Sequence, residues 1–484
     1  MASLGPLDPL IRFIEYLVLE QPFGALFNTY AFILLFLPIA LTGYWVLAAW
    51  PRLRLGWLVT MSLLFYSFYD VRFTALLLGA ALVDFLIALR IGAAVGDRRK
   101  MWLAASVTFN LTLLFFFKYA GFAVDSAQSL LHALGVPGEL PAFNIVLPVG
   151  ISFFTFKTMS YTIEVYRGDV QPTRSLLKYT AFISLFPEMV AGPIVRYEVL
   201  DRQLDDLPRR LPGPDVVAAV SLFSIGLFKK VVIADTIAAT VDPLWAVPGA
   251  LSTAQAWVAA IGYTFQLYFD FSGYSDMAIG LALMLGLRFP INFRAPYQAL
   301  NPSDFWRRWH ITLSTFLRDY LYIPLGGNRG TGLQVNSNLM ITMILGGLWH
   351  GAAWTFVLWG LYHGFLLVLY RRVQPFWDRR NVWLQRSATF LLVVFGWVLF
   401  RAASLGDAFT VYGAMFVPVG GLAGVEPIVG LAGAALLAFV WLVRPTSDRV
   451  FPMTSRWAIL VGIMFAAGFV LMGNQESPFL YYQF

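Results

Sequence analysis

Two of the four histidines in this chain stand inside one long apolar stretch, at residues 336–370. His350 is flanked by glycine and alanine residues, and these small neighbours leave room for a reactant to approach its imidazole. An imidazole can act as a general base near neutral pH, which other residue types here would do only after a large pKa shift. His363, which precedes a glycine, competes with His350 for this role. A histidine in a membrane helix is also commonly a hydrogen-bonded packing residue, so both interpretations stay open at this point.

A third histidine lies in the segment 292–330, where charged residues are interleaved with aromatic ones. Ser303 has the side chain of a helix N-cap, which predicts a helix beginning near Asp304. On one continuous helix, spacings of three and four residues would bring His310, Arg307 and Ser314 together on the polar side. This pattern is typical of an amphipathic helix, either on the membrane surface or along a water-filled cavity. His310 is therefore the second candidate for chemistry, as a residue that positions or polarises a substrate.

Polar residues also interrupt the apolar stretch 266–276. It is too polar for a helix surface that faces lipid, so we expect it to face a cavity or another helix. Its polar residues include Asp270, Ser272, Tyr274 and Asp276. Acids in the apolar segments are expected to pair with lysines inside the helix bundle. These acids are Asp84, Glu164, Glu188, Asp270 and Asp276, and the lysines are Lys118, Lys157, Lys229 and Lys230.

Membrane helices must position these residues, because the composition is that of a polytopic membrane protein. Apolar residues make up 59% of the chain, charged residues make up 13%, and the mean hydropathy is +0.69. A membrane-spanning helix needs roughly 20 mostly apolar residues, and this length rule predicts about 11 to 13 spans. The net charge of +7 comes from basic residues in short loops. Such residues set membrane topology, so we expect no nucleic-acid partner.

The chain is expected to form a single integral domain over residues 1–484, since no segment outside the predicted spans is long enough to bury its own core. Residues 1–28 lack the features of a cleaved signal and should remain in the mature protein, with an interfacial helix among them. Proline and glycine within apolar segments predict broken or re-entrant helices around an internal chamber. The absence of cysteine excludes thiolate chemistry, and no group of residues has the spacing of a metal site. The lack of a phosphate-binding loop argues against an ATP-driven pump.

Seven stretches of the sequence, together with its C-terminal tail, resemble one known family. They are Leu147–Phe154, Ser160–Gly168, Phe186–Ile194, Gly226–Asp235, Gln266–Gly280, Phe305–Tyr322 and Gly346–Gly351, and the tail is Ser477–Phe484. The chain resembles the membrane-bound O-acyltransferase (MBOAT) family, and within it the bacterial branch that contains the membrane subunit of alginate O-acetyltransferase. The resemblance covers nearly the whole chain. Glu164 departs from the branch pattern, which has aspartate there, and it retains the charge.

The resemblance implies an all-α integral membrane protein with the MBOAT fold, in which re-entrant and amphipathic helices surround a central tunnel. It implies an enzyme that transfers an acyl group to a hydroxyl, with His350 and His310 as catalytic residues. His350 would deprotonate the attacking hydroxyl, and His310 would orient a reactant or stabilise developing charge. An acetyl-histidine intermediate is a variant of this chemistry. Substrate-binding or tunnel-lining roles are expected for Trp349, Asp270, Ser272, Tyr274, Asp276, Arg307, Ser314, Arg318, Asp319, Tyr320 and His363.

The same branch implies a cytoplasmic acyl donor, expected to be acetyl-coenzyme A, and no bound cofactor. A multi-pass protein of the bacterial inner membrane, surrounded by lipid, would pass acetyl to periplasmic or membrane-anchored partner proteins that O-acetylate an alginate-like exopolysaccharide. Alternatives with related chemistry transfer D-alanine to teichoic acid, or acetyl to cellulose or peptidoglycan. A non-catalytic transporter is the alternative of another class, because broken helices and charges at membrane depth also occur in transporters.

Overall fold

The computed structural model describes residues 26–143, 145–189, 192–418, 420–421, 424–474 and 479–480. This described part is helical and contains no β-strand, which confirms the predicted fold class. In chain order its α-helices are α1 Leu37–Val46, α2 Pro51–Ser67, α3 Val71–Ala93, α4 Asp97–Leu114, α5 Ala120–Ala133, α6 Ile151–Arg167, α7 Leu176–Ser184, α8 Tyr197–Asp205, α9 Gly213–Leu227, α10 Asp235–Trp245, α11 Thr253–Met284, α12 Pro302–Trp306, α13 Ile311–Leu317, α14 Gly332–His350, α15 Trp354–Trp377, α16 Val382–Arg401, α17 Leu405–Phe416, α18 Pro427–Leu442 and α19 Ser455–Leu471. Short π-helical segments lie at Phe32–Phe36, Phe115–Tyr119, Phe228–Ala234 and Arg318–Tyr322, and 3₁₀ turns at Leu47–Ala49, Pro248–Ala250, Pro296–Gln298, Thr446–Asp448 and Met472–Asn474. The interfacial helix expected within residues 1–28 falls almost wholly outside the described residues.

Six helical segments of the described chain are long and apolar enough to cross a membrane. They are Phe32–Ala49, Val71–Ala93, Asp97–Ala133, Gly213–Trp245, Val382–Arg401 and Pro427–Asp448, and the shorter α19 is also apolar. Six is fewer than the 11 to 13 spans expected from the length rule, because several apolar stretches form helices that are too short or too polar to qualify. For example, α6 has 17 residues, and α11 carries Gln266, Asp270 and Asp276. The chain is a multi-pass membrane protein.

The described residues pack into two compact units. The first contains the chain up to Phe228 together with Asp276–Phe289 and the described residues of 451–482, and the second contains Lys229–Ser275 and Pro290–Val450. Each unit includes candidate membrane spans, so neither has the composition of a separate soluble domain. Three of the four histidines, His310, His350 and His363, belong to the second unit, and His132 belongs to the first.

The first unit buries its polar side chains against one another. Asp84 accepts hydrogen bonds from Ser106 Oγ and Asn110 Nδ2, both at 2.6 Å. Lys157 forms an ion pair with Glu188, and both side chains are almost fully buried. The predicted pairing of acids with lysines is therefore confirmed for Glu188, whereas neutral donors satisfy Asp84. Partners of either kind are needed because an unpaired charge in an apolar interior is very costly.

In the second unit, α14 and α15 form a tight helical hairpin. A Thr331–Gln334 capping box begins α14, and an extended Gly351 ends it. A methyl group added to Gly347 would lie 2.2 Å from the Phe356 carbonyl oxygen, so the two helix backbones approach too closely for any larger side chain. Small residues at a membrane helix contact permit this close approach. The hairpin fixes the position of His350 at the end of α14.

The segment 292–330 is not one continuous helix. The prediction that a continuous helix brings His310, Arg307 and Ser314 together is therefore wrong. Asn301, and not Ser303, caps its first helix, because Asn301 Oδ1 accepts a hydrogen bond of 2.8 Å from the Asp304 N–H. The chain breaks between α12 and α13, where His310 adopts a left-handed backbone conformation with φ of 41°. This conformation costs a non-glycine residue about 1–2 kcal/mol. Contacts with other segments must therefore hold the break.

We expect Gly360→Ala to lower the free energy of unfolding by about 1–3 kcal/mol, the usual effect of overpacking. A methyl group at Gly360 would lie 2.3 Å from the Met343 carbonyl oxygen and would push α15 away from α14. Thermal unfolding of the purified protein in detergent measures the loss. The matched control is Gly433→Ala in α18 of the same unit, where an added methyl group meets nothing within 4 Å. Equal melting temperatures for the two variants would contradict the close helix contact.

Candidate active site

His350 lines a cavity of about 550 Å³ within the second unit, and its side chain is buried. The cavity is formed by the segment 303–322 and by the hairpin of α14 and α15. Its other lining residues are Ser303, Trp306, Arg307, Ile311, Leu313, Ser314, Thr315, Leu317, Arg318, Tyr322, Leu339, Thr342, Met343, Gly346, Trp359 and Leu367. Among the predicted site residues, the cavity thus brings together His350, Arg307, Ser314 and Arg318. The volume is in the range of ordinary small-molecule pockets.

The cavity has a cationic, solvent-accessible side and an otherwise largely apolar lining. Arg307 and Arg318 are exposed, and Arg318 is paired with Asp319 at 2.6 Å. Arg307 makes no ion pair with any residue in the described ranges. Leucine, isoleucine, methionine and tryptophan side chains make up most of the remaining wall. Such a cavity suits a ligand with an anionic end and a small apolar or weakly polar end.

His310 is fully buried in the second unit, and its ring centre lies 6.5 Å from that of His350. It is not among the residues that line the cavity. Its Nδ1 is 3.0 Å from Asn292 Oδ1, and its Nε2 is buried without a hydrogen-bond partner in the described part of the chain. Burial lowers the pKa of His310 to about 3. The imidazole is therefore neutral at physiological pH, since the charged form would lose its hydration.

Asn292 is the residue at this site that the sequence analysis missed. Its backbone carbonyl accepts a hydrogen bond of 2.9 Å from the Ile311 N–H, and its side-chain oxygen contacts both His310 and Thr312. The contacts join positions that are about 20 residues apart in the sequence. In the sequence, Asn292 stands out only as a polar residue in the short loop that follows α11. Polar residues are common in loops, so this feature alone does not identify a site residue.

Trp349 packs beside both imidazoles. Its ring centre is 5.0 Å from that of His350 and 5.9 Å from that of His310. Tyr320, another predicted site residue, packs its ring against Phe316 at 4.5 Å. The cavity lining does not include Trp349 or Tyr320. It also does not include Asp319, the predicted site residue that pairs with Arg318. Trp349 therefore contacts the histidines from the protein interior.

The predicted polar residues of α11 do not line the cavity either. Asp270 is fully buried and bonds to Lys230 Nζ at 2.7 Å, which confirms the expected pairing for this acid. Lys230 also bonds to Asp235 at 2.7 Å. Ser272 and Tyr274 are buried in the same helix. Asp276, the last of the four predicted residues, is half-buried and belongs to the first unit.

His363 lies in a cluster of aromatic rings. Its ring centre is 4.8 Å from that of Trp359, 5.1 Å from that of Trp306 and 6.3 Å from that of Trp397. It is fully buried and does not line the cavity. Between the two histidines that competed on sequence grounds, His350 is the one with access to a reactant. The geometry gives His363 a place in packing around Trp359, which in turn contacts His350 at 5.1 Å.

The arrangement suits proton transfer. Within the described ranges, no three histidine or acidic side chains come together as metal ligands would. A cavity-facing imidazole can remove a proton from a hydroxyl, which is a step that acyl transfer to a hydroxyl can use.

Comparisons with known proteins agree with the chemistry of the site. A family model described as "MBOAT, membrane-bound O-acyltransferase family" matches residues 167–406, a range that includes every residue lining the cavity. A probable alginate O-acetylase AlgI of Azotobacter vinelandii is 46% identical over 398 residues, which are 81% of this chain and 78% of that protein. A probable alginate O-acetylase AlgI of Pseudomonas putida is 40% identical over 95% of this chain and 100% of its own length. The peptidoglycan O-acetyltransferase of Helicobacter pylori is 39% identical over 80% of this chain and 79% of its own length.

The histidine-lined cavity and these relatives lead to the same conclusion. The chain belongs to the membrane-bound O-acyltransferase family and is a membrane acyltransferase.

Proposed function

We propose that the protein takes an acetyl group from cytoplasmic acetyl-coenzyme A and passes it across the bacterial inner membrane for O-acetylation of an alginate-like exopolysaccharide. The observation that carries this proposal is the cavity that joins His350 to an exposed arginine. Alginate O-acetylase relatives at 40–46% identity support the choice of acetyl and of the polymer class. The abundance of basic residues in loops is consistent with an inner-membrane protein whose basic loops face the cytoplasm.

In the proposed reaction His350 acts as the general base. An acceptor hydroxyl loses its proton to His350 as its oxygen attacks the thioester carbonyl carbon. The carbon–sulfur bond then breaks, and the departing thiolate takes the proton back from the His350 imidazolium. The products are an acetyl ester and free coenzyme A, so atoms and charge balance. A positioned base of this kind typically contributes about 10²–10⁴-fold to the rate.

The donor fits the two ends of the cavity. The phosphates of coenzyme A are anionic and would bind the exposed Arg307 guanidinium, which has no acidic partner in the described chain. The thioester arm and acetyl group are slender and would reach His350 along the largely apolar wall. A cavity of about 550 Å³ is too small to enclose a polysaccharide chain together with this donor. We therefore propose that a periplasmic or membrane-anchored partner protein delivers the acetyl group to the polymer.

Peptidoglycan is the second candidate acceptor. The Helicobacter pylori relative, named a peptidoglycan O-acetyltransferase, is 39% identical over 422 residues, close to the values for the alginate relatives. The chemistry at His350 would be the same, since in both cases the partner protein, and not the polymer, would take the acetyl group from this chain. Ester-linked acetate in purified peptidoglycan and in purified exopolysaccharide, measured in a deletion strain and its complemented form, separates the two acceptors.

We expect His350→Ala to abolish acetyl transfer, with a loss of at least about 100-fold. No other histidine or acidic residue is among the described residues that line the cavity. The measurement is the acetyl content of purified exopolysaccharide by NMR, in a deletion strain that expresses each variant at matched membrane levels. His132→Ala is the control, because the His132 side chain is exposed and forms a hydrogen bond only with Gln128 in the described chain. Normal acetylation with His350→Ala would refute the assigned base, and normal acetylation in the uncomplemented strain would refute the proposed acceptor.

We expect Arg307→Ala to raise the KM for acetyl-coenzyme A about tenfold with little change in kcat. The substitution removes a contact to the phosphates, and this contact stabilises the bound substrate and the transition state by the same free energy. Thiol release from acetyl-coenzyme A by membrane vesicles measures both constants. Arg372→Ala is the matched control, since it removes the same charge from an exposed position of α15 outside the cavity lining. An equal rise in KM for both variants would indicate a general effect of surface charge and would contradict a specific donor contact.

A further inference from the structure

We infer that Asn292 is a positioning residue, which holds His310, the neighbour of His350, in the tautomer with a lone pair on Nε2. The inference rests on the proposed function, because it gives His310 a defined role in the same reaction. The observations that carry it are the hydrogen bonds of Asn292, the strained backbone of His310 and the absence of a partner for His310 Nε2 in the described chain.

The orientation of the Asn292 amide follows from a backbone donor. The Thr312 N–H lies 3.4 Å from Asn292 Oδ1, and Thr312 Oγ1 donates to the same oxygen at 2.9 Å. A backbone N–H can only donate, so the Asn292 atom that faces it is the carbonyl oxygen and not the amide nitrogen. The amide nitrogen points instead to Ser275 Oγ at 3.2 Å. Both ends of the Asn292 side chain are thus satisfied in one orientation.

This orientation determines the tautomer of His310. Because Asn292 Oδ1 is an acceptor, the His310 Nδ1 at 3.0 Å must carry the hydrogen and donate it. A neutral imidazole has one N–H, so the other nitrogen, Nε2, carries the lone pair. A hydrogen-bonded partner that selects the tautomer of a catalytic histidine is a recurrent device, and the wrong tautomer is inactive as a base or acceptor.

Asn292 also holds the backbone that carries this imidazole. Its carbonyl oxygen accepts from the Ile311 N–H at 2.9 Å, and two residues further on the Arg294 N–H donates to the Arg308 carbonyl at 3.0 Å. These two hydrogen bonds hold the loop after α11 against the residues between α12 and α13. His310 adopts its left-handed conformation at this contact. Strained backbone of this kind persists where surrounding contacts determine it, and it is frequent at functional sites.

His310 has one titratable ring among its described ring contacts. The ring is packed against Phe271 at 4.8 Å and Trp349 at 5.9 Å, neither of which titrates. His350 is the titratable side chain among its described ring contacts, with ring centres 6.5 Å apart. His310 does not line the cavity, so its Nε2 lone pair acts on the reaction as a neutral dipole next to His350 and not through contact with the reactant. Of the two roles expected for His310, a lone pair on Nε2 disfavours donation to an oxyanion.

The test measures thiol release from acetyl-coenzyme A by membrane vesicles that carry each variant at matched folded amounts, as a function of pH. The chain has no cysteine, so its own thiols add no background. Asn292→Leu removes the acceptor for His310 Nδ1–H, and we expect kcat to fall about 10–100-fold with the KM for acetyl-coenzyme A unchanged. Asn292→Asp keeps the acceptor, so we expect it to retain most of the rate. Its carboxylate favours the imidazolium of His310, and the acidic limb of the pH–rate profile should move to higher pH.

Asn338→Leu is the matched control, because it also deletes a buried asparagine of the same unit, one that donates to the Gly327 carbonyl at 3.1 Å. We expect it to leave kcat and the pH profile per folded molecule unchanged. A full rate with Asn292→Leu, or an acidic limb that does not move with Asn292→Asp, would overturn the inference. Failure of the proposed function looks different: the wild type would release no thiol from acetyl-coenzyme A, or His350→Ala would release it at the full rate.

Discussion

The close contact between α14 and α15 is the constraint on which the site depends. Gly347 and Gly360 let the two backbones approach within a distance that admits no side chain. This contact sets where α14 ends, and it brings Trp359 of α15 against the His350 ring. In a membrane, apolar side chains gain little by leaving lipid for another helix, so close packing of small residues has to supply the association. The position of the His350 imidazole is thus a consequence of glycine spacing.

Each unit contains a buried ion pair between residues of different segments of the chain. Lys157 pairs with Glu188 in the first unit, and Lys230 pairs with Asp270 in the second. His310 differs because one of its ring nitrogens is bonded and the other is buried without a described partner. An unsatisfied buried polar atom has a cost, and its position next to His350 is consistent with the role proposed for His310.

The size and polarity of the cavity favour the proposed division of the reaction between two proteins. A pocket of about 550 Å³ with a cationic side accommodates a small activated donor, whereas a polymer needs an extended surface. Transfer through a second protein would let this chain specialise in moving acetyl across the membrane. The polymer chemistry would then reside in the partner, which explains how relatives with similar identity to this chain bear the names of enzymes for alginate and for peptidoglycan.

Composition and motifs were sufficient to predict a helical membrane protein and its family, because hydropathy and short motifs are local properties of the sequence. The catalytic roles of His350 and His310 stay predictions. Local patterns also misled where the chain bends: residues 303–320 have the periodicity of one helix, yet the chain breaks at His310. The tertiary structure decided that His350 and not His363 reaches the cavity, and that Asn292 rather than the polar residues of α11 contacts His310. The Asn292 contact joins two residues across the loops that flank α12, and the cavity joins the segment 303–322 to α14 and α15. Periodicity along one segment carries no information about them, because they arise only when the helices pack.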